Sequence, residues 1–446
     1  MSSEPQVNPK FRIAVCGGGI AGLCLGVALA RFPDIEVNVY EAAATFKEVG
    51  AGVMMWGRTW RVLSLLGLAD AYRELASDTN NGSTVRSFSY DYRRGDIGPD
   101  GHLIHRLELP YELHLYHRAH FLDILVDRLP KHMAHLGKRL QSYTQDGSDG
   151  PIQLTFMDGT RATCDALIGC DGIKSVVRRF MYERMAAEGK PELRDYIEPV
   201  WTGEITYRAL VYADRLPLRD GKKHPALSKT VIYCGKNKHC IAYPIAGGRV
   251  ANFGAVITEP ELEGTVYTKP WVQESTEEEL ASDFEGWEGQ VQDIIRSVEK
   301  PSKWAINQLR PLPAYVHGTV ALVGDSAHAM PPHQGSGAGQ AIEDAYMLSS
   351  ILGHPSVTRA NLSQALKAYE HVRLPFANHV LNASNNAGKL CQLQIRNKTN
   401  VRNMEDGRIW ILDGEPSVEG HFREEDKSCT LLMATMSLES FMPAKC

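Results

Sequence analysis

Residues 11–22, FRIAVCGGGIAG, leave little choice of local fold. The apolar run FRIAVC suits a strand buried in a parallel sheet, and AGLCLGVALARF, which overlaps the end of the glycine turn, is a helical stretch. The glycines between them fit G-x-G-x-x-G. Gly17 permits the tight turn, Gly19 lets a pyrophosphate approach the backbone, and Gly22 lets helix and strand pack closely. Ile20 and Ala21 open the helix, whose free N–H groups and partial positive charge favour phosphate. A second strand, IEVNVYE, ends in Glu41, at the usual distance for a carboxylate that binds a ribose hydroxyl. An acid there repels a 2′-phosphate, which disfavours NADP in this site and leaves NAD and FAD open.

Composition narrows the class of partner. The chain has 446 residues, 43% hydrophobic and 23% charged, enough for two or three domains with buried cores. A net charge of −5 gives no field for gripping nucleic acid or an anionic membrane. No run reaches the roughly 18–20 apolar residues of a membrane span, and MSSEPQVNPK does not read as a secretory signal. The nine cysteines form no CxxC pairs, which fits reduced thiols in a cytoplasmic protein. Cys234, His239 and Cys240 lie close together but lack a fourth ligand at suitable spacing, so no metal site is expected.

Two further turns decide between NAD and FAD. After Glu41, the stretch EVGAGVMMWGR carries Gly50 and Gly52, a second close approach of backbone. Residues 166–179, ALIGCDGIKSVVRR, repeat the order of strand, turn and basic helix start. A third apolar strand leads into VGDSAHAMPPHQGSGAGQ at 323–340, where the density of glycine and proline suggests backbone pressed around something that is not protein. Together these turns are more than NAD alone requires.

With YEHVRLP at 369–375, these motifs resemble, in their order, the class A flavoprotein aromatic hydroxylases, the family with the p-hydroxybenzoate hydroxylase fold. The resemblance reaches to about residue 390. It implies FAD as cofactor, with Asp325 at the ribityl chain and Gly335, Gly337, Ala338 and Gly339 bringing backbone amides to the flavin ring and phosphates. Pro331 and Pro332 stiffen the turn beside the ring. Arg118 of HRAHFLDIL is similar to the arginine that holds FAD, and Asp171 with Gly172 to a motif serving FAD and the nicotinamide cofactor. NADH or NADPH is then a co-substrate, and the choice between them is not legible. Glu343 and Asp344 stand where a helix dipole favours acids.

The implied fold class is α/β: a Rossmann-like FAD-binding domain interleaved with an antiparallel β-sheet substrate domain, plus C-terminal helices. The expected segments are 9–80, 104–185 and 300–365 for FAD, 81–103 and 186–299 for substrate, and 366–446 for a helical region and tail. Pro375 is expected to end or kink a helix. The sequence is compatible with a monomer or a homodimer.

EITYRALVYA, KTVIYCG, KHCIAYPIA and RVANFGAVI read as strands of that antiparallel sheet, which in the family roofs the flavin and lines the aromatic site. Alternation puts Tyr207 and Arg208 on opposite faces. A phenol has a pKa near 10, so a positive charge or base that favours the phenolate speeds electrophilic attack. Arg208 is the candidate for orienting a carboxylate or phenolate, Tyr243 for a hydrogen bond and His333 for proton exchange, whereas His328 reads as structural. For Arg208 a structural carboxylate partner is the alternative, and for Tyr243 plain packing.

Within the family, PHQGSGAGQAIEDAYMLSSILG, GWEGQVQDII and WAINQLRPLPAYVHG resemble salicylate hydroxylase and its fungal relatives. The implied partners are a small aromatic substrate and O2, and the implied oxidant is a flavin C4a-hydroperoxide. The preferred reaction is oxidative decarboxylation, 4-hydroxybenzoate to hydroquinone or salicylate to catechol, because attack at the carboxylate-bearing carbon needs an ortho or para hydroxyl. Alternatives are a non-decarboxylating or dearomatising hydroxylase of a larger phenol, an amine or alcohol oxidase, and a non-catalytic flavin-binding redox sensor.

Overall fold

The computed structural model describes residues 8–46, 52–77, 82–85, 88–109, 113–147 and 150–395. The amino-terminal residues before 8, Gly50 and the tail from 396 lie outside the described residues. The chain is α/β, organised around two large sheets.

The first sheet has six strands in the order Val316–His317, Val320–Leu322, Ala166–Gly169, Phe11–Cys16, Ile35–Tyr40, Ala134–His135. All its pairings are parallel except the hairpin at 316–322. Phe11–Cys16 is central and nearly continuously buried, as a parallel strand covered on both faces must be. The helix Ile20–Leu29 lies against it and packs on the helix Gly337–Leu352. Two glycines make this possible. Gly17 has φ +114°, and a Cβ on it would stand 2.1 Å from the Cys170 carbonyl oxygen; one on Gly22 would stand 1.9 Å from that of Gly17.

The second sheet has eight strands: Val272–Glu274, Ser302–Gln308, Val200–Tyr212, Val250–Thr258, Lys238–Ile245, Thr230–Gly235, Phe88–Arg94 and His102–Leu109. Its outer face buries Tyr207, Val211 and Phe253 in a separate core with Phe284, Trp287 and Val291. Tyr207 and Arg208 do face opposite ways: the Tyr207 hydroxyl donates to Asp283 at 2.5 Å behind the sheet, and Arg208 lines a cavity in front.

Pairing moves two expected boundaries. Ser302–Gln308 pairs with Val200–Arg208, so this sheet extends to 308 rather than stopping at 299. His102–Leu109 pairs with Phe88–Arg94, so it also extends to 109 rather than 103. Pro375 does not end its helix either: Leu362–Cys391 is one helix of 30 residues. Leu366, Tyr369, Ala377 and Val380 are buried on both sides of the proline, and that packing outweighs a local cost of about 3 kcal/mol. Among the described residues no helix is long and apolar enough to cross a membrane.

A buried ion network ties the carboxyl-terminal helix to the first sheet. Arg373 donates to Asp344 at 2.6 Å and to Glu343 at 3.1 Å, and Arg58 reaches Glu343 at 3.0 Å. Asp344 also accepts from the backbone N–H of Gly324 at 2.9 Å and contacts His328 Nε2 at 2.6 Å. Glu343 and Asp344 therefore answer to Arg373 and lie beyond the first turn of their helix, where a dipole acts little. Burial pushes the Asp344 carboxyl up, but His328 and Arg373 hold it down at about 2. Arg373→Met strands that carboxylate, so urea unfolding should show a loss of about 3–5 kcal/mol. Arg359→Met removes an exposed partner of Asp165 and should cost about 0–1 kcal/mol.

Candidate active site

The strand Val320–Leu322 feeds a loop that turns sharply at Gly324, φ +68°, passes Pro331 and Pro332, and turns again at Gly335, φ +62°, before the helix Gly337–Leu352. This loop and the glycine turn at 17–22 form the floor of a cavity of about 450 Å³ whose roof is the inner face of the second sheet.

Of the residues singled out in the sequence, Gly19, Ile20, Ala21, Asp325, Pro332, Gly335, Gly337 and Ala338 line the floor, with Gly52 and Arg118 at the side. Arg208, Tyr243 and His333 line the same cavity. Five others do not. Gly17 and Gly22 serve the strand–helix turn, as their backbone contacts show. Gly339 packs on the neighbouring helix, where a Cβ would stand 2.6 Å from Thr59 Oγ1. Asp171 accepts from Ser175 Oγ at 2.5 Å and from the N–H groups of Val176 and Val177 at 2.7 and 3.1 Å, so it caps a helix while its neighbours Cys170 and Gly172 reach the cavity. Glu41 accepts from the N–H of Gly18 at 2.6 Å and of Ala43 at 2.7 Å, closing the end of the glycine turn.

Period two builds the roof. Thr206 and Arg208 face inward from one strand, His239, Ile241 and Tyr243 from another, and Asn252 lies opposite Tyr243 on the strand between them. Asn252 donates to the Tyr243 hydroxyl, which leaves the phenolic proton free for another acceptor. Burial raises the Tyr243 pKa. Arg208 stacks over Trp304, 5.0 Å from the ring centroid. No carboxylate pairs with its guanidinium among the described residues, and burial, reinforced by the charge of Arg118, lowers its pKa.

Deeper in, His333 Nε2 lies 3.0 Å from Glu204 Oε2, both side chains nearly sealed. Burial opposes a charge on His333, but the Glu204 carboxylate outweighs it and the imidazole is raised. Glu204, which burial alone would push up, is brought down to about 2 by His333 and by Gln392. His239 meets His333 edge to face at 5.2 Å, and burial together with that charged neighbour pushes it down to about 3. Cys234 and His239 share a face that Cys240 does not, and among the described residues no group of His, Cys, Asp and Glu could hold a metal ion.

Glu204, Asn252 and Gln392 escaped the sequence reading, and His239 was weighed there only as a metal ligand. Extending the alternation from Arg208 and Tyr243 finds Glu204, Thr206 and His239. Gln392 has no local signal, because its partner Glu204 lies 188 residues away.

The site fits FAD. Backbone at a helix start suits its phosphates, a Cβ on Gly337 would meet nothing within 4 Å, and the buried Gln334 Oε1 in the floor loop has no partner among the described residues. A parallel sheet with a glycine-rich turn beneath a substrate sheet defines a flavin-dependent enzyme that works on a small molecule. Residues 10–384 match a family described as FAD binding domain. Salicylate hydroxylase of Pseudomonas putida is 36% identical over 401 residues, 88% of each chain. The 6-methylsalicylate 1-monooxygenase of Aspergillus terreus is 36% identical over 388 residues, 85% of this chain and 83% of the relative. A solved salicylate hydroxylase substrate complex superposes with a TM-score of 0.79 at 28% identity, covering 98% of this chain and 100% of that one. The chain belongs to the class A flavoprotein aromatic hydroxylases and is an FAD-dependent aromatic monooxygenase of the salicylate hydroxylase type.

The depressed His239 gives a pH signature. Its folded pKa lies below the unfolded value near 6.5, so between those values only the unfolded chain takes up the proton and stability falls as the pH is lowered. Relative to His239→Asn, the wild type should lose up to about 1.4 kcal/mol per pH unit below about pH 6.5. His333, raised, contributes the other way: its stabilisation is complete below about 6.5 and is lost as pH rises through its folded value. Urea unfolding of both proteins between pH 7 and 5 checks this, and a flat difference would show that His239 is charged in the fold.

Proposed function

We propose that this enzyme hydroxylates a small hydroxybenzoate at the carbon bearing the carboxylate and releases CO2, with NADH or NADPH as electron donor. The observation that carries the reading is Arg208, a half-buried guanidinium on the cavity wall that no carboxylate of the described chain neutralises. A partly desolvated charge with no protein partner carries a cost that an anion on the ligand would remove. Trp304 holds the guanidinium plane, and the apolar wall, including Tyr90, Tyr92, Ile232 and Ile241, suits one aromatic ring. The relative that acts on 6-methylsalicylate is named for oxygen insertion at C1, which supports the same regiochemistry here.

Bound FAD supplies the electrons and the activated oxygen. Gly19, Ile20 and Ala21 would hold its phosphates, Asp325 its ribityl chain, and the amides of Gly335, Gly337 and Ala338 the ring, beside Pro332 and Arg118. The chain's other contributions are electrostatic and steric. Arg208 fixes the carboxylate, Tyr243 donates its free proton to a substrate oxygen, and His239 meets the phenolic oxygen. His333 lines the same cavity, with its Nε2 engaged by the ionised Glu204 carboxylate rather than free to exchange a substrate proton. An ortho or para hydroxyl pushes electron density to the carboxylate-bearing carbon; a meta hydroxyl does not. The described cysteines that are free suit a reducing compartment, the cytoplasm.

Mass spectrometry of products from salicylate, 4-hydroxybenzoate and 3-hydroxybenzoate, with both nicotinamides and O2, tests this. Catechol or hydroquinone with matching CO2 is expected, and little turnover of the meta isomer. A dihydroxybenzoate that kept its carboxylate would remove the C1 attack, and absence of any aromatic-stimulated NAD(P)H oxidation would favour a redox sensor. Arg208→Gln should raise KM for the carboxylated substrate about 10- to 100-fold, the worth of a charged hydrogen bond. The same substitution should leave binding of the corresponding phenol without a carboxylate nearly unchanged.

A further inference from the structure

His239 has a fixed proton position that can be read from its neighbours. Gln392, fully buried just past the helix Leu362–Cys391, places Nε2 at 2.6 Å from Glu204 Oε1 and 3.3 Å from His239 Nδ1. An ionised carboxylate only accepts, so the Gln392 atom facing Glu204 is the amide nitrogen. Its carbonyl oxygen is turned away and accepts from Gln394 Nε2 at 2.9 Å. The amide nitrogen has two hydrogens. One goes to Glu204, and the other points at His239 Nδ1, which must then accept.

A neutral imidazole that accepts at Nδ1 carries its proton on Nε2. Burial and the charge on His333 keep the ring neutral against the opposing pull of Glu204. No protein atom among the described residues pairs with His239 Nε2, and the side chain lines the cavity.

We propose that Gln392 and Glu204 are positioning residues that hold His239 as the Nε2–H tautomer, so that it presents a hydrogen-bond donor to the phenolic oxygen of the substrate. The identity of that ligand rests on the function proposed above; the tautomer does not. The consequence is chemical. A donor at this position favours the phenolate, and with Nε2 already protonated His239 does not take the phenol proton at that atom. That proton passes to solvent as the substrate binds. Arg208 and His239 then divide the work, the cation on the carboxylate and the neutral donor on the oxyanion.

Nitrogen-15 NMR of the histidine-labelled holoenzyme, with His239 assigned by His239→Asn, reads the tautomer without any ligand. The wild type should show a protonated Nε2 and a bare Nδ1. Gln392→Leu removes the donor to Nδ1 and should give a mixture of tautomers. Glu204→Gln lets the Gln392 amide turn over and should act in the same direction, providing a second variant if the first holds no flavin. The second readout is the pKa of a bound nitro-substituted hydroxybenzoate, followed by phenolate absorbance with flavin content and thermal unfolding as controls. It should rise by at least one unit, a tenfold loss of preference for the phenolate, in either variant. A wild-type His239 protonated at Nδ1 would overturn the proposal whether or not the enzyme hydroxylates anything. An unchanged phenol pKa in variants that keep their flavin would overturn the positioning role. Failure of the wild type to bind any hydroxybenzoate would count against the proposed substrate, leaving the NMR result to decide this inference.

Discussion

The glycine-rich floor depends on one buried interaction, the pairing of Arg373 with Asp344. Asp344 holds the N–H of Gly324, and so sets where the chain leaves its strand to begin the floor loop. Arg373 carries that constraint into the carboxyl-terminal helix, whose Ser384 donates to the Pro331 carbonyl at 2.6 Å on the same loop. The loop is therefore held at its start by the helix that follows it and at its middle by the carboxyl-terminal helix. Such a grip is what lets backbone amides stand still around a ligand, since glycine and a two-proline turn have no side chains with which to hold themselves.

Two buried arginines and a half-buried one show how the chain separates structure from function. Arg373 is matched by two carboxylates. Arg178 is satisfied by the backbone carbonyls of Ile197, Ser326 and Ile173, with burial pushing its pKa down to about 10. Among the described residues Arg208 has neither kind of partner and stacks on the face of Trp304. Two of these cations close the fold and one is left facing the cavity, so unmet charge is concentrated where a ligand can meet it.

How far this could be read from sequence follows the range of each interaction. The glycine turn was legible because its reasons are local: Gly17 and Gly22 are excluded from being anything larger by atoms within a few residues or on the adjacent strand. Alternation placed Tyr207 and Arg208 on opposite faces, and the sheet's packing decides that Arg208 is the one facing inward. Glu343 and Asp344 were legible as structural acids, but not their partner, because Arg373 is invisible until the helices pack. Pro375 was expected to end or kink its helix, and burial on both sides carries the helix through it without an end. The strand at 302–308 was assigned to the wrong layer because its pairing partner lies a hundred residues earlier, and sheet pairing at that separation leaves no mark on composition. The Glu204–Gln392–His239 chain was the least legible part, being assembled from three segments with no shared motif.

The alternation along one inner strand of the second sheet separates two kinds of structural demand. Along Val200–Tyr212, Tyr207 and Val211 answer to the helices behind, whereas Thr206 and Arg208 answer to whatever occupies the cavity. A lineage can thus exchange one set while the other stays in place. Neighbouring residues answer to different partners, and a single strand can carry a new chemical preference without reopening the question of how the protein folds.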